Sequence, residues 1–241
     1  MIKISSFQSQ LSLDIQGGRI YDLTLHSHKI LGTYTRVDGK VGNSHICTPN
    51  FSAEGIQTYG LSQHGSARNM QWSIESKKEN ACTIRCTVPS EGTYPSILSL
   101  EQQFMLENNS FTHAVTVTNQ GNVNAPVNIG IHYYWDTPDG WEQIMINNKN
   151  ISSSIAKDTS MPACKKNRVQ IPHKPAITLE TGSDFSILQL WTGRNIVDNQ
   201  TIFDTAYACI EPVFKSTGYF DSPMSMLAPK ETLKKTVTLS M

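Results

Sequence analysis

The stretch Val127–Trp135, VNIGIHYYW, decides how the rest of the chain is read. Val127, Ile129, Ile131 and Tyr133 recur at every second position, so in extended backbone they share one face, while Asn128, Gly130, His132 and Tyr134 share the other. A segment with this period is a strand with one face against a core. On a curved sheet the second face, with an imidazole and a phenol beside a glycine, can form the floor of a polar cleft.

The same period runs from end to end, in LSLDI, FTHAVTVTN, FSILQLW and TVTLSM, and no window of about fifteen residues offers a capped helical stripe. The chain reads as all-β. Turn clusters punctuate it at Gly17-Gly18, Asp38-Gly39, Asp139-Gly140 and Thr181–Ser183. NQGN at Asn119–Asn122, between two alternating segments, predicts a hairpin. The polar, irregular stretch 147–175 is expected to be loop or edge. So many short strands imply two packed antiparallel sheets or a closed barrel, and 241 residues is a length that one all-β domain, 1–241, can occupy.

Near the C-terminus, YACIEPVF (Tyr207–Phe214) sets Glu211 on the face of Tyr207 and Cys209, opposite Ala208 and Ile210. Pro212 removes a ladder donor and predicts a strand end or edge there. A third segment, SQHGSARNMQW (Ser62–Trp72), places His64 and Arg68 on one loop, with Gly65 permitting close backbone approach and Trp72 anchoring the end.

Composition narrows the function. Twenty Lys and Arg balance twenty Asp and Glu, so there is no net field to gather nucleic acid or anionic lipid, and neither partner is expected. The N-terminus alternates apolar with polar residues and lacks the apolar run of a signal peptide, and no segment is long and apolar enough to span a bilayer; a cytoplasmic location is the expectation. Five cysteines without CxxC spacing suggest reduced, mostly buried thiols. His26 and His28, with His45 further on, lack the downstream Glu that a strand-borne metal site needs, so no metal is expected. There is no GxSxG elbow, phosphate loop or dinucleotide fingerprint.

Taken in order, SQHGSARNMQW, NIGIHYYW and ACIEPVF resemble the aldose 1-epimerase (mutarotase) superfamily, and within it the hexose-6-phosphate 1-epimerase-like branch. GGRIYDLTLHSHKIL is similar to the family's opening hairpin, HICTPNF to the segment before its HGxAR motif, and SMLAPKETLKKTVTL to its closing strand. The resemblance covers Leu11 to Leu239. It implies a galactose mutarotase-like β-supersandwich of two large curved antiparallel sheets, with a sugar or sugar phosphate in a cleft on the concave face, in a monomer or homodimer. It also implies Glu211 as catalytic base and His132 as catalytic acid, with His64 and Arg68 binding the sugar, Trp72 or Tyr134 supporting its apolar face, and Asp158 nearest to the family's hydroxyl-holding Asp. The short chain and Ser66, where the family commonly has a bulky residue, depart from the pattern. An inactive carbohydrate-binding module of the same fold is the alternative.

The implied reaction needs the proton of the C1 hydroxyl removed while the ring oxygen gains one, so that the sugar opens, rotates and recloses. Two proton-transfer groups on opposite sides of the ring suffice, and no cofactor is called for.

Overall fold

In the computed structural model, which describes the chain except for Thr217, Tyr219 and Asp221, half of the residues lie in strands and 6% in helices. The strands form two large antiparallel sheets, one of ten strands and one of nine, as the all-β reading expects. The first sheet runs from an edge at Ile2–Ser6 through Arg19–Leu25, His28–Leu31, Tyr134–Asp136 and Tyr207–Val213 to Gly130–His132 and His45–Cys47. The second is centred on Leu98–Leu106, Ser110–Asn119 and Thr232–Ser240.

Alternation sets what lies between the sheets. On Leu98–Leu106, Leu98, Leu100, Phe104 and Leu106 are buried in the core, and on Ser110–Asn119 Phe111, Val115 and Val117 join them. From the other sheet come Leu11, Leu13, Leu23, Ile129, Ile131 and Tyr133. One polar chain crosses this interior. Gln102 donates from Nε2 to the carbonyl of Gly18 at 2.9 Å, which leaves its Oε1 to accept from His113 Nε2 at 2.9 Å, and Tyr133 OH donates to His113 Nδ1 at 3.0 Å. Every member is satisfied, as a buried polar network must be.

One expectation needs correction and two hold in part. NQGN is not a hairpin: Ser110–Asn119 pairs with Leu98–Leu106 and Thr232–Ser240, and after Asn119 the chain leaves this sheet for the other. The Asn119 amide serves the crossing, accepting from Gly121 N at 2.9 Å and donating to Val123 O and Leu227 O at 2.8 Å. Both flanking segments alternate because each lines the common core from its own sheet. Secondly, 147–175 is edge only in part: Lys149–Asn150 is the outermost strand of the second sheet and Ser160–Pro162 pairs on one side only, as expected, but the rest is more regular than loop. Asn147 and Asn148, both left-handed, close a hairpin between Met145–Ile146 and Lys149–Asn150, a helix spans Ser152–Lys157, and Lys166–Gln170 joins the second sheet. Thirdly, Pro212 does stand at a strand end, one residue before the close of Tyr207–Val213, but that strand is no edge: it has neighbours on both sides and is wholly buried.

The opening hairpin is Arg19–Leu25 with His28–Leu31, turned by left-handed His26 and Ser27, so the HSH triplet occupies a tight turn. All five cysteines are free, Cys164 exposed and the rest buried.

Candidate functional site

Pro212 explains the local geometry of the site. Tyr207–Val213 keeps one register along its neighbour, Gly130 opposite Val213 and Tyr134 opposite Cys209. That register sets Ile131 opposite Pro212 and His132 opposite Glu211. Pro212 has no N–H to offer, and the Ile131 carbonyl accepts instead from Tyr133 N at 3.1 Å. The ladder breaks there, dividing Gly130–His132 from Tyr134–Asp136. The neighbours on either side extend the row: His45 stands across from His132, and Gln189, on Ile187–Trp191, across from Glu211. Four strands thus present His45, His132, Glu211 and Gln189 in one line.

His132 Nε2 lies 3.6 Å from Glu211 Oε1, and both residues are nearly buried, 5% and 2% exposed. His132 Nδ1 and Glu211 Oε2 have no hydrogen-bond partner among the described residues. Unmatched buried polar atoms cost about 1–3 kcal/mol each and mark places where a ligand completes the bonding. His132 is packed between aromatic rings, stacked on His45 and on Tyr134 at 4.9 Å each, with Trp191 edge-on at 5.7 Å. Burial pushes the Glu211 carboxyl well above its usual range, with Asp158 adding in the same direction. Burial pushes His132 well below its usual value, helped by His45, His64, Arg68 and Arg36. Burial thus disfavours the charged form of both groups, drawing the carboxyl up and the imidazole down.

These groups floor a cleft of about 560 Å³. Of the residues expected from sequence, Glu211, His132, His64, Arg68, Tyr134 and Asp158 all line it. Trp72 does not. It is 1% exposed in the core and donates from Nε1 to Ala67 O at 3.1 Å, because the buried face of its segment takes the largest apolar surface available. It anchors the loop and touches no cleft. The aromatic wall belongs to Trp191, under the Arg36 guanidinium, whose centre lies 4.9 Å from the ring. The alternation of FSILQLW could have found Trp191 and Gln189, since Leu188 and Leu190 are the core side of that strand. Arg19, Arg36 and Lys40 also line the cleft, each with its own anchor: Arg19 on Asn43 and the Arg68 carbonyl, Arg36 and Lys40 on Asp38. Four cationic side chains thus face two carboxylates, Asp158 and Glu211, in a chain with no net charge.

Asp158, in left-handed backbone after the helix Ser152–Lys157, accepts from Gln189 Nε2 at 2.8 Å and pairs with Arg194 at 3.5 Å. His64 is held by Gly65, also left-handed, where a Cβ would overlap the Thr48 carbonyl; this is the close approach the HG pair suggests. His132, Cys209 and Glu211 bring one ligand-type atom each within 4.8 Å of one another. Cys209 is 0% exposed and packed with Tyr134 and Tyr207, outside the cleft lining, and among the described residues the His132 Nδ1 has no orienting partner of the kind metal-bound imidazoles have, so the set fits a metal poorly.

Solved structures share this architecture. A galactose mutarotase related enzyme from Lactobacillus acidophilus superposes with a TM-score of 0.79 at 15% identity, covering 99% of this chain and 96% of its own. A galactose mutarotase-like protein from Lactobacillus casei gives 0.75 at 15%, over 100% and 99%. A galactose 1-epimerase from Lactobacillus acidophilus gives 0.64 at 13%, over 97% and 91%. No curated protein matches the chain. Residues 24–162, more than half of the sequence, match the aldose 1-epimerase family; the match takes in His64, Arg68, His132 and Asp158 and ends before Glu211. By that match, and with a mutarotase-like fold around it, the chain belongs to the aldose 1-epimerase family.

Proposed function

We propose that the protein interconverts the α and β anomers of a hexose or hexose 6-phosphate, with Glu211 and His132 as the proton-transfer pair. The observation that carries this reading is the pair itself: a carboxyl and an imidazole 3.6 Å apart on a cleft floor, each with one buried atom lacking a partner among the described residues, so that they address the C1 hydroxyl and the adjacent ring oxygen from one side rather than flank the ring as the sequence reading expects. Between them the two groups hold one proton. With it on His132, the carboxylate takes the C1 hydroxyl proton and the imidazolium protonates the ring oxygen. With it on Glu211, the carboxyl donates and the imidazole accepts. The second placement is the state reached once the ring has opened: after rotation at C1, Glu211 returns its proton to the aldehyde oxygen and His132 recovers its own from the former ring oxygen, so either anomer opens from and closes to the same protonation state.

The other lining residues have positioning roles in this reading. His64 and Arg68 hold sugar oxygens, Asp158 and Gln189 offer polar partners to hydroxyls, and Trp191 with Tyr134 gives the ring's apolar face a surface. Excess positive charge at Arg19, Arg36, Lys40 and Arg68 favours a phosphorylated sugar over a neutral one.

Anomer equilibration followed by polarimetry or NMR on glucose 6-phosphate, glucose and galactose tests the proposal. Glu211→Gln keeps the size of the side chain, and its rate should fall at least about a hundredfold. Equal rates for wild type and variant would reject the assignment, and saturable binding with no acceleration over buffer would select a sugar-binding module instead.

A further inference from the structure

His64 Nδ1 has two neighbours at 3.3 Å, the backbone N of Ser52 and Cys47 Sγ. A backbone N–H can only donate, so Nδ1 is the unprotonated nitrogen and the ring proton sits on Nε2. Since Nδ1 accepts, the thiol facing it is the donor. Cys47 is 0% exposed and packs against Phe51 and Val213, and burial together with the Glu211 carboxyl pushes its thiol well up, so it keeps the proton that a donor needs. Phe51 meets the imidazole edge-on at 5.5 Å and limits its rotation.

We infer that Cys47 is a positioning residue for His64: with Ser52 N–H, its S–H locks the imidazole in the Nε2–H tautomer and directs one fixed donor into the cleft. Protonating Nδ1 would set an N–H against two donors, in keeping with a His64 pKa pushed down to about 4 by burial, Arg68 and Arg36. His64 is then a hydrogen-bond donor at neutral pH and passes no proton on, since its second nitrogen is occupied. It serves binding rather than proton transfer, a clause that rests on the function proposed above; the tautomer assignment does not.

The test is ¹⁵N NMR of histidine-labelled protein, in which two-bond correlations distinguish the tautomers, on wild type, Cys47→Ala and Cys47→Ser. Wild-type His64 should show the Nε2–H pattern. Cys47→Ala should shift the Nδ1 resonance and raise KM for glucose 6-phosphate or glucose about two- to tenfold with kcat little changed, the range for one neutral hydrogen bond. Cys47→Ser, which keeps a donor, should restore both. An Nδ1–H tautomer in the wild type overturns the inference by itself, whether or not a variant folds. So does an Nδ1 resonance that Cys47→Ala leaves in place. If neither sugar binds or turns over, the proposed function fails while the imidazole spectrum still decides the role of Cys47.

Discussion

A single site in this protein separates residues that look alike in sequence. Trp72 and Trp191 are both strand-associated tryptophans, yet one is core and the other cleft wall. Trp72→Ala should destabilise the fold by about 3–5 kcal/mol, read by chemical denaturation. Trp191→Ala should leave stability nearly intact and raise KM for the sugar, and a larger stability loss at Trp191 than at Trp72 would contradict this assignment. The proton pair makes a second residue-scale demand. His132 is pushed down from 6.5 and Glu211 up from 4.5, both chiefly by burial, and between their two titrations lies a range in which the pair holds one proton. Below it His132 gains a second proton, and above it Glu211 loses the shared one. The profile of kcat/KM should have its acid limb below pH 6.5 and its alkaline limb above pH 4.5. An alkaline limb at ordinary carboxylate pH would mean that Glu211 is not the group holding the shared proton.

At the scale of elements, two local breaks in regular structure build the site. Pro212 interrupts the ladder beside His132, and left-handed Gly65 folds the 62–72 loop against Thr48 so that His64 meets the sheet. Gly65→Ala would have to accept both an unfavourable φ and an overlap with backbone, for a cost of roughly 2–4 kcal/mol. The measurable signature is a lowered Tm together with weakened sugar binding, because the displaced element carries His64 and Arg68. A variant with wild-type Tm and affinity would show that the approach at Thr48 is slack.

Over the whole molecule, buried neutral imidazoles tie stability to pH. His113, 1% exposed between Gln102 and Tyr133, has its pKa pushed down to about 3 by burial. Between that value and the ordinary 6.5 the unfolded chain binds the proton that the folded chain refuses, so stability is fully present above pH 6.5 and lost as pH falls. The loss is on the order of 4–5 kcal/mol by pH 3, at about 1.36 kcal/mol per unit. Urea denaturation at pH 7 and pH 4 should show it, with a shallower dependence in His113→Gln; an equally steep one would move the acid sensitivity elsewhere.

By itself the sequence determined the strand period, and with it which side of each strand enters the core. Ile129, Ile131 and Tyr133 were legible against His132 and Tyr134, and Ala208 and Ile210 against Glu211, because period-two alternation is a local property of extended chain. The order of HGSAR, IHYYW and CIEPV carried the family, and with it the expectation that His64, Arg68, His132 and Glu211 converge. Only the tertiary structure decided which strands are neighbours. It placed Pro212 in a central strand, turned NQGN into a crossing between sheets, sent Trp72 inward and brought Trp191, Arg36 and Gln189 to the cleft. The direction in which Glu211 and His132 are shifted also lay beyond the sequence, since residue types give ordinary pKa values and burial, which depends on every neighbouring strand, moves them.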